Sequence, residues 1–388
     1  MGTCIERLIA NDYDEALALL NLSFRNNQPP SFEDSLPKMW KRDDEHMGKH
    51  LVCRIDGKMM AIVGIYPLKT KIGNHRFMFS TVGNVATHPD SRMQGFMTEL
   101  MKAAMGELDK IRADASRLGG LRQRYERYGY EPAGTKHIYT LTSRNIRDYF
   151  NNSFKSDITF MPLELGDIVY LSKALHLFSG QLFAVDRTNI EEFYLSAKAW
   201  EMTPWAALDE NGDMMGYLVA SKNRSSLAEQ LVCNESRFVE MLCAWIIRNE
   251  LDNIRLELPP WQPAYCRELG RLSESVSASS ASNFKILSWV EITNALLELK
   301  ANQNKLADGS FILGIEGYGS MILEVKNGKG VCRRVEQKAE LLMQPLDATR
   351  LLFGHMPPWA ATDLSVVDSK LLNSWLPLPL SWNGQDRV

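Results

Sequence analysis

Thr81-Val82-Gly83-Asn84-Val85-Ala86-Thr87-His88-Pro89-Asp90-Ser91-Arg92-Met93-Gln94-Gly95-Phe96-Met97 is the stretch from which the rest of the chain can be read. Val82 to Ala86 is an apolar, β-type run that ends at a Pro89-Asp90 turn. Beyond Gly95, apolar residues recur at Met97, Leu100, Met101, Ala104, Leu108 and Ile111, the spacing of one helix face. A strand that passes through an Arg-x-x-Gly loop into a helix makes a cradle for phosphate. N–H groups of the first helical turn lack helical acceptors and converge on one spot, where the macrodipole favours negative charge. Gly95 lets the backbone approach an anion closely, and Arg92 adds a charge-assisted contact.

A second segment follows: Arg122-Gln123-Arg124-Tyr125-Glu126-Arg127-Tyr128-Gly129-Tyr130-Glu131-Pro132-Ala133-Gly134. Leu121, Tyr125 and Tyr128 are spaced to share a helix face, so packing alone would account for Tyr125. A phenol there could also donate a proton to a departing thiolate.

Taken together, the two segments resemble the GNAT acyltransferases. The loop matches their Gln/Arg-x-x-Gly-x-Gly/Ala motif except that Met97 replaces the last small residue, and Tyr125 matches their Tyr-x-x-x-Gly-aromatic segment. The resemblance implies a mixed α/β GNAT fold with acetyl-coenzyme A as donor. It places the pyrophosphate on Arg92, Met93, Gln94, Gly95, Phe96 and Met97, the pantetheine arm on the backbone of Val85, Ala86 and Thr87, and the coenzyme sulfur beside Tyr125.

At 388 residues the chain is long enough for two or three domains. Its 45% apolar and 23% charged residues are those of a soluble globular protein. A net charge of −3 without a Lys/Arg block argues against a nucleic-acid partner. Cys4, Cys53, Cys233, Cys243, Cys266 and Cys332 form no C-x-x-C pair, and the seven histidines no metal-binding pattern, so no metal is expected and the thiols fit a reducing compartment. No apolar run reaches the length of a membrane span, no signal peptide is visible, and Glu6 occupies the position where myristoylation after Met1-Gly2 needs Ser or Thr. A cytoplasmic location is the expectation.

Residues 1–145 read as one α/β unit: a strand near Ile5–Ile9, a helix from Tyr13 to Phe24, a helix capped by Ser31, a hairpin about Asp56-Gly57, the loop and helix above, and a strand near Ile111–Ala115. Residues 146–295 repeat part of this pattern. A hairpin turns at Asp209–Asp213, then a strand to Cys233 meets a helix from Phe238. Its connecting loop, Asn234-Glu235-Ser236-Arg237, has no glycine and carries a carboxylate where a phosphate would lie. The Ser-rich Ser273–Ser282 reads as a flexible loop. After a helix-like Glu291–Lys300, residues 296–388 hold short glycine-joined strands. The three-part order resembles the enhanced-intracellular-survival family: a working GNAT domain, a degenerate GNAT domain and a sterol-carrier-like domain. That resemblance implies a homo-oligomer, possibly a hexamer.

Trp375 to Val388 carries two Trp and three Leu among prolines, too apolar to be left in water. In the family resembled, the terminal carboxylate enters the first domain's active site, which puts Val388 beside Tyr125 as the base. Glu33, Asp34, His88 and His137 are weaker bases. Phe24, Glu33 and Trp40 are expected to wall the acceptor cleft, where aromatic faces suit a cationic amine. The expected reaction is direct transfer of acetyl to a small cationic amine or a lysine. The alternatives are a lipid or sterol carrier, and a coenzyme A-sensing protein without turnover.

Overall fold

The computed structural model describes residues 4–363 and 369–388; the Met1-Gly2 start lies outside the described residues. β1 (Cys4–Arg7) leads into the helix Tyr13–Arg25. Ser31 then caps the short helix Phe32–Ser35 by accepting from the Asp34 N–H, with Asp34 reaching back to complete a capping box. β2 (His50–Ile55) and β3 (Lys58–Ile72) form the expected hairpin, turned by Asp56 and Gly57, both at positive φ. β4 (His75–Thr87), the helix Phe96–Lys110 and β5 (Ala115–Leu118) follow. That helix buries Phe96, Leu100, Met101, Ala104 and Leu108 against the sheet. The strand expected at Ile111–Ala115 starts only at Ala115, because the helix runs to Lys110 and the chain then turns through Arg112 at φ 51°. The short helix Arg122–Tyr125 and β6 (Glu131–Thr142) complete this region.

The same pattern returns in β7 (Thr159–Pro162), β8 (Phe183–Val185), the hairpin β9 (Thr203–Leu208) and β10 (Met214–Ala220), β11 (Ser226–Val232), the helix Phe238–Arg248 and β12 (Asn253–Leu258). β11 and β12 are parallel, as are β4 and β5. The Ser-rich segment is a correction: it is no loop but β13 (Ser275–Ile286), which lies antiparallel to β6 on one side and to β5 on the other. Most of its first eight residues bury little, so main-chain hydrogen bonding rather than apolar burial makes it a strand. The main sheet therefore runs β1-β2-β3-β4-β5-β13-β6-β12-β11-β10-β9-β7, with β8 on the far end of β3.

Residue 146 falls inside the helix Ser143–Tyr149, and residue 296 inside the helix Trp289–Gln303. β14 (Gly309–Ile315), β15 (Gly319–Lys326), β16 (Lys329–Val335) and β17 (Leu341–Met343) form a separate sheet in the order β16-β15-β14-β17. No described helix is long and apolar enough to cross a membrane.

The tail is buried as its composition requires. Trp375, Leu376, Leu378, Leu380 and Trp382 all belong to the core. The Thr135 N–H donates to Leu380 O at 2.7 Å, Lys300 Nζ to Pro377 O at 2.9 Å, and the Trp382 ring stacks on Phe79 at 6.0 Å. Trp382→Ala should lower unfolding free energy by about 3–5 kcal/mol, the cost of a large aromatic lost from a packed core, measurable by denaturant titration.

Candidate active site

β4 and β5 stay parallel from Phe79 opposite Ala115 to Val82 opposite Leu118, and then part. A bulge in β4 accompanies the parting. Ile62 faces Ala86 and Gly64 faces Gly83, so Asn84 and Val85 together oppose one residue of β3, and Asn84 takes φ 53°. Such bulges bend the strand and increase its twist. Beyond Val82 the β5 side of β4 has no strand partner, and a cleft opens there.

Phe24, Arg25 and Phe32 line this cleft from the first helices, Gly83 to Val85 from β4, and Gly119 to Tyr125 from the end of β5 and its helix. Trp200, Glu201 and Val388 close it. The structure thus brings together four residues singled out in the sequence: Phe24, Val85, Tyr125 and Val388. Val388 lies so close over Gly83 that a β-carbon on that glycine would stand 2.5 Å from Val388 Cγ2 and 3.2 Å from its carboxyl carbon. Tyr125 packs against Gly120 and is only 6% exposed. Burial raises its pKa, against the opposing charge of Arg124, so the phenol is held protonated. Its hydroxyl makes no hydrogen bond among the described residues.

Below the cleft runs a buried polar chain. Asn84 Nδ2 donates to Tyr66 Oη at 2.5 Å, and Tyr66 Oη lies 2.8 Å from His50 Nε2, while His50 Nδ1 is 3.1 Å from Met47 O. Burial pushes the His50 imidazole down to about 4, so it stays neutral and its Nδ1–H can donate to Met47.

At the far end of β4, the turn Pro89–Ser91 leads into Arg92, Met93, Gln94 and Gly95, all exposed. Met93 and Gly95 have φ of 65° and 89°, and Gly95 is the N-cap of the helix Phe96–Lys110. A β-carbon on Gly95 would meet nothing within 4 Å, so the backbone there is open to an incoming group. Arg92 forms no ion pair among the described residues. Phe96 itself points into the core, so only its backbone is offered to the loop. Ala86 is likewise buried, and Thr87 pairs with Ala61 at the strand end.

Two residues expected to wall the cleft stand elsewhere. Trp40 is buried, its ring 4.9 Å from that of His50 and 6.0 Å from that of Tyr13, because its apolar surface is needed in the core. Glu33 accepts a hydrogen bond from the Tyr13 hydroxyl at 2.6 Å and does not line the cleft. Nor do the other base candidates. Asp34 is taken up in the Ser31 capping box, His88 caps its own turn by accepting from the Asp90 N–H, and His137 sits on β6 beside Cys266.

Sequence reasoning missed Trp200 and Glu201. Both carry positive φ, 60° and 61°, an uncommon conformation for large side chains and one that clusters at functional sites. Glu201 accepts from Ser35 Oγ at 3.1 Å and pairs with Arg25 at 3.5 Å, which holds its carboxylate at the cleft.

A family model for the acetyltransferase (GNAT) domain matches residues 5–133. The chain carries a GNAT acetyltransferase domain. Over nearly its whole length the chain has the fold of Eis1 from Mycobacterium abscessus (12% identity, 100% of both chains, TM-score 0.66). It is also similar to a probable N-acyltransferase from Enterococcus faecalis V583 (14% identity, 98% of both chains, TM-score 0.68). A GCN5-related N-acetyltransferase from Kribbella flavida is a third such structure (15% identity, 100% of this chain and 98% of that one, TM-score 0.66). A search of curated proteins found no match. Among the described residues no group of His, Cys, Asp and Glu could hold a metal ion.

Gly83→Ala should force Val388 out of its place. Overpacking of this kind costs about 1–3 kcal/mol, which corresponds to about 5-fold to 150-fold in the population of a released terminus. Carboxypeptidase should then remove Val388 correspondingly faster than from the unmodified chain.

Proposed function

We propose that this protein transfers acetyl from acetyl-coenzyme A to the primary amine of a small cationic molecule, with Tyr125 as acid and the Val388 carboxylate as base. The observation that carries the reading is their meeting in one cleft, where β4 has parted from β5. The unpaired backbone of Val85 to Thr87 can receive the amides of the pantetheine arm as an added strand would. Arg92 and the N–H groups of Gln94 to Met97 form the pyrophosphate site, for which the open backbone at Gly95 leaves room.

With donor and acceptor held in line, the amine nitrogen attacks the thioester carbonyl. The carboxylate of Val388 has first taken a proton from the ammonium form of the acceptor, which frees that nitrogen's lone pair, and the proton lost on amide formation leaves through solvent. As the carbon–sulfur bond breaks, Tyr125 gives its proton to the thiolate, and the two groups return to their starting states by proton exchange through solvent. The products are the N-acetylated amine and free coenzyme A. Phe24, Phe32 and Trp200 supply aromatic faces, which suit a cationic acceptor.

One donor binds per chain, within residues 1–145. In residues 146–295 the corresponding loop is already satisfied from within. Asn234 Oδ1 accepts from the Ser236 N–H at 3.1 Å, and Arg237 is paired with Glu240 at 2.8 Å and Asp157 at 3.0 Å. Residues 296–388 form the third, sterol-carrier-like part, whose tail delivers Val388.

Calorimetry with coenzyme A should count one equivalent per chain, and none for Gly95→Asp, which sets a carboxylate against the pyrophosphate. Two equivalents, or unchanged affinity in a folded Gly95→Asp protein, would refute the donor site. Tyr125→Phe should keep donor affinity and lower turnover by about 10²-fold or more, the scale of a lost general acid, as read from thiol release. Near-normal turnover would return Tyr125 to a packing role.

A further inference from the structure

Two residues before its end, the tail enters a cluster of buried charge. Asp386 is 1% exposed, and its Oδ1 lies 3.2 Å from Arg187 Nη2 and 3.5 Å from Lys38 Nζ. Lys38 also donates to Gln385 O at 2.9 Å. Arg187 Nη1 lies 3.1 Å from Glu229, which accepts from the Tyr217 hydroxyl at 3.0 Å as well. The Gln385 side-chain amide reaches the carbonyls of Ser196, Ala197 and Ala199 at 3.2, 3.0 and 2.9 Å.

Two basic side chains thus face two acidic ones, and the pairs join three parts of the chain. Lys38 precedes β2, Arg187 and Glu229 belong to the repeated unit, and Asp386 belongs to the tail. Burial alone would lower the Arg187 pKa, and the Asp386 and Glu229 carboxylates more than reverse it.

A buried ion network is a poor way to gain adhesion, since well-packed apolar side chains of similar volume do as well or better. The tail already has such anchors in Leu378, Leu380 and Trp382. What directional, charge-assisted bonds add is a fixed position, and they act within two residues of Val388.

We propose that Lys38 and Arg187, acting through Asp386, are positioning residues that hold the Val388 carboxylate at its place over Gly83. On this reading the second unit, which binds no donor, serves to align the base of the first. The inference rests on Val388 being the base, and its test separates the two.

Asp386→Asn and Lys38→Met are made in the full chain and assayed with acetyl-coenzyme A and two acceptors of nearly equal shape. Benzylamine is protonated at neutral pH and needs a base. O-benzylhydroxylamine is already neutral and needs little help. Misplacing a reacting group by about 1 Å can cost about 10²-fold. Turnover of benzylamine should fall by about that factor, that of O-benzylhydroxylamine by at least about tenfold less, with donor affinity unchanged.

A variant that melts normally and loses both activities equally, or neither, overturns the proposal. If Asp386→Asn does not fold, Lys38→Met, which leaves Arg187 on Asp386, is judged by the same ratio. A chain extended by three alanines after Val388 is the control. Discrimination by the extended chain without discrimination by Asp386→Asn or Lys38→Met rejects the positioning role alone. Absence of discrimination in the extended chain rejects Val388 as the base.

Discussion

The parting of β4 from β5 is the constraint on which the rest of the molecule depends. Two parallel strands that stay paired leave no room for a ligand, and two that separate leave main-chain groups without partners. Here the bulge at Asn84 and Val85 turns the end of β4 away. The exposed edge is then bounded by the tail on one flank and by the Gly119–Tyr125 segment on the other. β5 does not remain an edge, because β13 pairs with its other side. The gap is therefore confined to the few residues where an extended ligand could lie.

Groups that close this gap come from distant parts of the sequence, and each is held at a cost. Trp200 and Glu201 occupy left-handed backbone conformations. Asp386, Arg187 and Glu229 are ionisable groups taken almost wholly out of water. Desolvation of such groups is expensive unless every charge is met by hydrogen bonds of good geometry. Arg187 meets that condition with two carboxylates and the face of Phe178, 3.7 Å below its guanidinium. The left-handed backbone of Trp200 and Glu201 thus lies at the cleft itself, and the buried charge lies two residues behind Val388.

Local structure was legible in the sequence and long-range assembly was not. The Arg92–Met97 loop and the Tyr125 segment were readable because turn, glycine and helix periodicity lie within a few residues of each other. The tail was readable because so many Trp and Leu side chains cannot stay in water. β13 was misread because its serines show no apolar alternation, and its order comes from two neighbouring strands that no local signal announces. Trp40 was placed in the cleft because an aromatic suits either a wall or a core, and composition does not distinguish them. Trp200 and Glu201 gave no signal at all, since what marks them is backbone conformation.

The place of β13 between β5 and β6 also governs how the chain can come to its final form. These two strands are close in sequence, yet the strand that joins them is supplied about 130 residues after β6. A fragment ending at residue 145 would leave both β5 and β6 with open edges, the kind of surface on which chains pair wrongly. The GNAT domain is thus not an autonomous module. It becomes continuous with the rest of the sheet only after residue 286 has emerged, so its assembly comes late in synthesis and as a single cooperative body with the unit that follows it.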